Sequence, residues 1–192
     1  SRHGSGLFDL VARSRLGLSR LASGETERAF ADLESAAAID SSSYQPDMVL
    51  VVSHLRRGNY DQALRAMSSL EKKQPNNPAT YNLKAVIYLG KNDIPNARKQ
   101  FERALELQPA FLAAAKNLAQ LDLREKNQKA ARARLETILS KEPGNEAALL
   151  TLAELGTALG ATQKEQVDWL ERARKASPQS IHPPLMLARL YG

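Results

Sequence analysis

A 34-residue recurrence of prolines and alanines constrains the fold of this chain more than any other feature of its sequence. Pro75, Pro109 and Pro143 are each 34 residues apart, and Pro178 follows 35 residues after the last of them. Alanines recur at the same interval at Ala29, Ala63, Ala97 and Ala131. A period of this length is typical of a chain built from stacked supersecondary repeats. The sequence therefore predicts a repeat architecture.

Each repeat is predicted to contain two α-helices joined by a turn. In the stretch NDIPNARKQFERALELQP, Ala97, Phe101 and Ala104 are spaced by four and three residues, so they lie on one stripe of a helix. Pro109 ends that helix, because proline cannot continue it. Segments such as RRGNY, GKNDI and EKNQK separate the two helices and carry turn-forming residues. The predicted repeats are 10–43, 44–77, 78–111, 112–145 and 146–180, with a partial repeat at 181–192.

The order of small and large residues within each repeat resembles the tetratricopeptide repeat. Four of the six first helices carry a Leu-Gly or Leu-Ala pair, while the equivalent pairs are Leu50-Val51 and Lys84-Ala85 in the other two. Most second helices carry an opening alanine, a large apolar residue and a closing proline, with a further alanine at Ala36, Ala104 and Ala173; Ser41 stands in place of the first proline. The resemblance covers residues 10–191. Local departures are Asp122 and Gly156, which stand where an aromatic residue is usual, and Gln166, which replaces an opening alanine.

This resemblance implies an all-α fold, a right-handed α-solenoid forming a single array over residues 1–192. It also implies a non-catalytic scaffold that binds a protein or peptide partner in its concave groove. The chain begins without an initiator methionine, and its last repeat has one helix only. We therefore expect a fragment of a longer protein. No apolar run approaches the roughly 18 residues of a membrane span, so no transmembrane segment is predicted.

The groove should be lined by the face of each first helix that points away from its second helix. Met48, Val52 and Val86 would form an apolar strip there, and methionine adapts its shape to a partner. Amide and cationic side chains would continue the surface and favour peptide main chain and carboxylates. The alternative is that these residues are merely exposed or packed against the next repeat. The candidate partner-binding residues are Met48, Val52, Asn82, Val86, Lys116, Gln120 and Arg124.

A narrower resemblance concerns the C-terminal half. The tail GATQKEQVDWLERARKASPQSIHPPLMLARLY, following FLAAAKNLAQLDLREKNQKAARARLETILSKEPGNEAALL, is similar to the large tetratricopeptide-repeat lipoproteins associated with the PEP-CTERM/exosortase system. These are envelope proteins of Gram-negative bacteria linked to exopolysaccharide production. The resemblance implies a periplasmic or envelope-associated parent protein that assists exopolysaccharide or protein-sorting machinery.

Residues that would support catalysis or metal binding are scattered. His3, His54 and His182 lie in different repeats, and none has a second histidine or a carboxylate at metal-ligand spacing. His54 occupies a packing position, so we interpret it as a satisfied interior or boundary histidine. Trp169 is interpreted as packing between repeats or as an exposed aromatic, with sugar stacking as the less favoured role. We predict no enzyme activity, no cofactor and no metal.

The net charge of +6 raises two alternatives to peptide binding. A basic face around Lys126, Lys129 and Arg132 would bind an acidic polysaccharide directly, although a solvated helix face with pairs such as Arg132 with Glu136 explains the same residues. Helical-repeat binding of nucleic acid needs stacking residues that alternate with base-reading polar side chains, and the groove lacks that alternation. Nucleic acid is therefore not predicted as a partner.

Overall fold

The computed structural model describes residues 2–23, 26–39 and 43–191, with the side chains of 2–11 and 26 left undescribed. The chain divides into two compact units, residues Ser1–Ala97 and Arg98–Gly192, here the N-terminal unit and the C-terminal unit. Over the described residues every regular element is an α-helix, and neighbouring helices along the chain pack in pairs. The all-α prediction is confirmed.

The helices of the N-terminal unit follow the predicted repeats. The first helix begins at Arg2, eight residues before the predicted repeat boundary at residue 10. The helices are α1 (Arg2–Ser23), α2 (Thr26–Ile39), α3 (Gln45–Arg56), α4 (Tyr60–Lys73), α5 (Pro78–Gly90) and α6 (Ile94–Leu107), of which α6 begins in this unit and continues into the next.

The C-terminal unit contains the remaining helices. They are α7 (Leu112–Arg124), α8 (Gln128–Lys141), α9 (Glu146–Glu154), α10 (Gln163–Ala176) and α11 (His182–Tyr191). The odd-numbered helices from α1 to α11 are the first helices of their repeats, and the even-numbered ones are the second helices. In the fifth repeat, α9 has 9 residues and ends at Glu154, and the following turn accommodates the extra residue.

The helices α3, α5 and α7 end in the same way, and the same closure recurs in the turn that follows α9, at positions 34 residues apart. Gly58, Asn92, Lys126 and Gly160 have φ values of 74°, 59°, 61° and 70°. After α3, the Gly58 N–H donates to the Leu55 carbonyl, and the Asn59 N–H donates to the His54 carbonyl at 2.9 Å. This pair of bonds is the Schellman closure, which satisfies carbonyls that the helix itself leaves without partners.

The starts of several helices are also encoded locally. The side chains of Asn77, Asn127 and Asn145 accept hydrogen bonds from backbone N–H groups in the first turns of α5, α8 and α9. Thr162 and Glu165 form a capping box at the start of α10. Because a proline lies shortly before α5 and α9, the chain stops one helix and starts the next within a few residues.

The small residues predicted at helix crossings are in the core. Ala29, Ala63 and Ala97 are fully buried, and so is Ala131 of the C-terminal unit. Met67 and Phe101, at equivalent positions in successive second helices, are also fully buried. Small side chains let the helices approach closely, and the larger ones fill the space between them. The sequence pattern therefore predicted these core positions correctly.

Candidate partner-binding faces

In the N-terminal unit, the candidate partner-binding residues lie on two first helices and none of them is fully buried. Met48 and Val52 are one turn apart on α3, and Asn82 and Val86 are one turn apart on α5; all four are half-buried. Met48 packs against the cluster that contains Val51. Asn82 also takes part in an interaction within the protein. Met48 and Asn82 therefore contribute to contacts within the protein, while part of each of the four side chains stays accessible.

In the C-terminal unit, Lys116, Gln120 and Arg124 follow one face of α7. Gln120 and Arg124 are exposed, and Lys116 is half-buried. Lys116 Nζ lies 3.0 Å from Glu154 Oε2 of α9, so an ion pair joins two successive first helices. Lys116 is predicted as a partner-binding cation; Glu154 is its partner within the protein, and its role in partner binding stays a prediction. Its charge is already balanced, and Arg124 is the cation left on this face of α7.

The departure from the repeat pattern at Asp122 has a structural reason. Its side chain is 2% exposed and accepts hydrogen bonds from two arginines. Arg98 Nη1 donates to Oδ1 at 2.7 Å, and Arg134 Nε donates to Oδ2 at 2.5 Å. A buried carboxylate needs such partners, because an uncompensated charge is costly to remove from water. Asp122 therefore links α6, α7 and α8 at the position where the two preceding repeats have the rings of His54 and Tyr88.

The basic face considered for polysaccharide binding loses one of its three cations to internal contacts. Arg132 Nε lies 2.7 Å from Glu136 Oε1, as predicted, and Arg132 Nη2 lies 2.7 Å from Glu165 Oε1. The backbone N–H of Thr162, followed by the Arg132 guanidinium, lowers the pKa of Glu165 to about 2. Lys126 and Lys129 remain exposed.

Trp169 is a core residue of the C-terminal unit. It is 5% exposed and belongs to an apolar cluster of that unit that also contains Leu135, Leu149 and Leu170. The Arg132 guanidinium lies over its ring, 5.3 Å from the ring centroid. The interpretation of Trp169 as packing is confirmed, and its buried ring does not offer a sugar-stacking surface.

His54 is interior, as predicted, but it is not fully satisfied. Its ring stacks on Phe30 with 4.3 Å between centroids, and it is 8% exposed. Nδ1 has no hydrogen-bond partner among the described residues. Burial lowers the pKa of His54; Arg57 and Arg65 act in the same direction, while Glu34 and Glu27 oppose them. The imidazole is therefore harder to protonate than that of an exposed histidine.

Two other kinds of site are absent from residues 2–23, 26–39 and 43–191. No helix in these ranges is both long enough and apolar enough to cross a membrane. Nor do these ranges contain a group of three or more histidine, aspartate or glutamate side chains placed to hold a metal ion.

Comparison with protein families matches most of the chain to one kind of repeat. Three family models, each described as a tetratricopeptide repeat, match residues 20–87, 78–111 and 116–181. The chain belongs to the tetratricopeptide repeat family. The models describe the general repeat, so they support the family and not the narrower exosortase-associated group. None of the curated proteins matches the chain.

Solved structures of other tetratricopeptide repeat proteins have a similar fold. A structure of pilF from Pseudomonas aeruginosa is 20% identical with a TM-score of 0.64, covering 97% of this chain and 84% of that one. A thermophilic repeat protein from Thermus thermophilus is 19% identical with a TM-score of 0.62, covering 95% and 98%. YrrB, described as having an unusual peptide-binding site, is 15% identical with a TM-score of 0.56, covering 92% and 90%. At these identities the likeness shows the fold alone.

Sequence spacing found the helix faces but missed how their side chains pair. Lys116 and Glu154 are separated by one repeat and one helical turn, and they carry opposite charges. This combination of spacing and charge could have indicated their contact. The repeat pattern also does not predict a cleft that lies between the second helices α2 and α4 of the N-terminal unit. The sequence difference related to this cleft is the small Ala66 in place of the large Arg134 at the equivalent position, and its consequence is visible only in the side-chain contacts.

Proposed function

We propose that this tetratricopeptide repeat protein is a non-catalytic scaffold that binds a peptide or protein segment on the accessible faces of its first helices. The family supports the general role, because stacked helix pairs create extended binding surfaces. The observation that carries the proposal for the N-terminal unit is the half-buried apolar strip of Met48, Val52 and Val86. YrrB, which shares the fold, is described as having a peptide-binding site.

Each unit offers a different chemistry for such a partner. On α3 and α5 the accessible apolar carbon would contact apolar side chains, and the Asn82 amide lies one turn from Val86. On α7 the exposed Gln120 and Arg124 would bind main-chain carbonyls or carboxylates. A role with exopolysaccharide or protein-sorting machinery in the periplasm is supported by sequence resemblance only, and it stays a prediction.

Affinity selection of random peptides tests the proposal. The bait is the full chain, beside a Met48→Glu/Val86→Glu variant for the N-terminal unit and a Gln120→Glu/Arg124→Glu variant for the C-terminal unit. We expect selected peptides to bind at least one variant about tenfold more weakly, because a new carboxylate opposes burial of an apolar group or of an acidic one. A Ser68→Glu variant, exposed on α4, is the matched control.

Circular dichroism and urea midpoints must show that each variant stays folded. Peptides that bind all three variants as tightly as the native chain would show that the first-helix faces are not the binding surface. Steady turnover of a small ester, phosphate or glycoside by the native chain would contradict the non-catalytic role.

A further inference from the structure

A cleft of about 750 Å³ opens between α2 and α4 in the N-terminal unit, above α3. It lies on second helices, so it is distinct from the first-helix faces proposed above as the binding surface. Its volume is within the range of sites that take ligands or short segments of chain. The lining includes Glu27, Phe30, Glu34, Leu50, His54 and Ala66.

In the C-terminal unit, the equivalent residues fill this space with arginine. Two repeat lengths after Phe30, His54 and Ala66, the chain carries Arg98, Asp122 and Arg134. Both arginines donate to the Asp122 carboxylate. In the C-terminal unit the long Arg134 side chain fills the space next to Asp122. The methyl group of Ala66 is too small to fill the equivalent space in the N-terminal unit. The N-terminal cleft thus has alanine at the position where the C-terminal unit has the cation of Arg134.

The carboxylates that would face such a cation are still present. Arg134 Nη2 lies 4.0 Å from Glu102, and the equivalent of Glu102 in the N-terminal unit is Glu34. Glu34 and Glu27 are two turns apart on α2, so both face the cleft. Among the described residues, neither glutamate forms an ion pair or hydrogen bond.

Equivalent acidic residues elsewhere are paired with a cation. Asp61, the equivalent of Glu27 one repeat later, lies 2.5 Å from Lys91 Nζ. Glu136, the equivalent of Glu102, lies 2.7 Å from Arg132 Nε. The equivalent of Lys91 is Arg57, but its guanidinium lies over the Phe30 ring, 5.8 Å from the centroid. Glu27 and Glu34 therefore lack the kind of cationic partner that Asp61, Glu102 and Glu136 have.

The remaining lining suits a basic residue with apolar neighbours. Phe30 and Leu50 give apolar contact for a side-chain stem, and the unpartnered Nδ1 belongs to His54 in the same lining. Arg65 borders the cleft from α4, and no ion pair joins it to Glu27 or Glu34 among the described residues. We propose that the cleft binds an arginine- or lysine-bearing, otherwise apolar segment of a partner protein, whose cation contacts Glu34.

Selection from a library of random seven-residue peptides tests this without presupposing the charge of the ligand. The baits are the full chain and its Ala66→Arg, Glu34→Gln and Arg65→Gln variants. We expect basic peptides whose binding falls at least about tenfold in Glu34→Gln, because a charge-assisted contact is lost. Binding should also be lost in Ala66→Arg, where an internal guanidinium fills the cleft as in the C-terminal unit. Arg65→Gln should bind as tightly or more tightly.

Two controls separate this cleft from the first-helix faces. Asp61→Asn removes an equivalent carboxylate that is already paired, so it should leave binding unchanged. Met48→Glu/Val86→Glu should leave cleft-binding peptides unaffected, whereas it weakens peptides bound on the first helices. The urea midpoint of Ala66→Arg should not fall below that of the native chain.

The proposal is overturned by any of three results. One is that no selected peptide binds Glu34→Gln more weakly than the native chain. A library from which no peptide binds the native chain counts as the same result. Another is the selection of acidic peptides whose binding is lost in Arg65→Gln, which would show that the cleft binds an anion through Arg65. The third is undiminished binding of the basic peptides to Ala66→Arg, which would place them elsewhere on the chain.

Discussion

At the scale of single residues, the left-handed position after α3, α5 and α7, and in the turn after α9, shows how one backbone angle shapes a repeat. Glycine stands there in Gly58 and Gly160, but Asn92 and Lys126 take the same positive φ. Asparagine tolerates this region better than other residues with a side chain, whereas lysine pays a steric cost. Lys126 therefore keeps the Schellman closure of α7 at the expense of local strain.

Lys126→Gly should stabilise the C-terminal unit by about 0.5–1 kcal/mol, since relief of strain exceeds the added entropy of the unfolded chain. Gly58→Ala should destabilise the N-terminal unit by about 1 kcal/mol, because alanine is strained at positive φ. Asn92→Gly should have a smaller effect than Lys126→Gly. Urea unfolding of the three variants measures these changes, and a loss of stability in Lys126→Gly would contradict the account.

His54 makes the stability of the N-terminal unit depend on pH. Burial, aided by Arg57 and Arg65 and opposed by Glu34 and Glu27, lowers its pKa in the folded state. The unfolded chain then binds more protons near the ordinary value of about 6.5, so stability is complete above that pH and falls as the pH drops below it.

His54→Phe should remove this component, because phenylalanine keeps an aromatic ring against Phe30 but does not titrate. Urea midpoints at pH 8 and pH 5.5 should differ more for the native chain than for the variant. All other titratable groups are shared by the two proteins, so their contribution cancels. Equal pH dependence of the two proteins would show that His54 does not titrate below its ordinary pKa.

At the scale of helices, a buried lysine fastens three elements of the N-terminal unit. Lys73, at the end of α4, donates to the Asp47 carboxylate at 2.6 Å and to the carbonyls of Ala37 and Ser43, each at 3.0 Å. The Asp47 side chain is 2% exposed, and that of Lys73 is 8% exposed. One ammonium group thus holds the end of α2 and the start of α3 to α4.

Lys73→Met should cost about 3 kcal/mol or more of unfolding free energy, because it leaves the buried Asp47 carboxylate without a cation. The Lys73→Met/Asp47→Leu double variant should recover part of that loss, since no charge is then buried. Lys91→Met, which breaks the exposed pair with Asp61, should change stability little. A double variant as unstable as the single one would show that Lys73 acts through its carbonyl contacts alone.

At the scale of the whole molecule, the distribution of charge decides which kind of partner is favoured. The net charge is +6, but many cationic side chains on the described helices, including Lys116 and Arg132, form ion pairs with carboxylates. Apolar contact on α3 and α5 requires no release of counterions, whereas binding of a polyanion does.

Binding of peptides to the apolar strip on α3 and α5 should therefore survive an increase from about 50 to 200 mM salt, because it depends on apolar contact. Binding driven by a polyanion should fall steeply over the same range. Titration of a selected peptide and of an acidic polysaccharide at several salt concentrations measures both slopes. A peptide whose affinity collapses like that of the polysaccharide would favour the charged alternative.

The sequence by itself determined the repeat length, the helix pairs, the turns and the alanine-lined crossings. These features depend on spacing within a few turns, on proline and on backbone hydrogen bonds between near neighbours, so they can be recognised without coordinates. The same local reasoning correctly placed the candidate residues on first helices at positions that are not fully buried.

Only the tertiary structure decided which contacts the polar and aromatic side chains at equivalent repeat positions make. Phe30 stacks on His54, whereas their equivalents Arg98 and Asp122 form a buried ion pair. Lys116 is paired with a residue 38 positions away, and Lys73 reaches a carboxylate 26 positions away. Such contacts depend on how long side chains from different helices meet in space, and a 34-residue pattern does not specify that geometry. The repeat architecture is therefore determined by local sequence, whereas the individual sites depend on side-chain packing between helices.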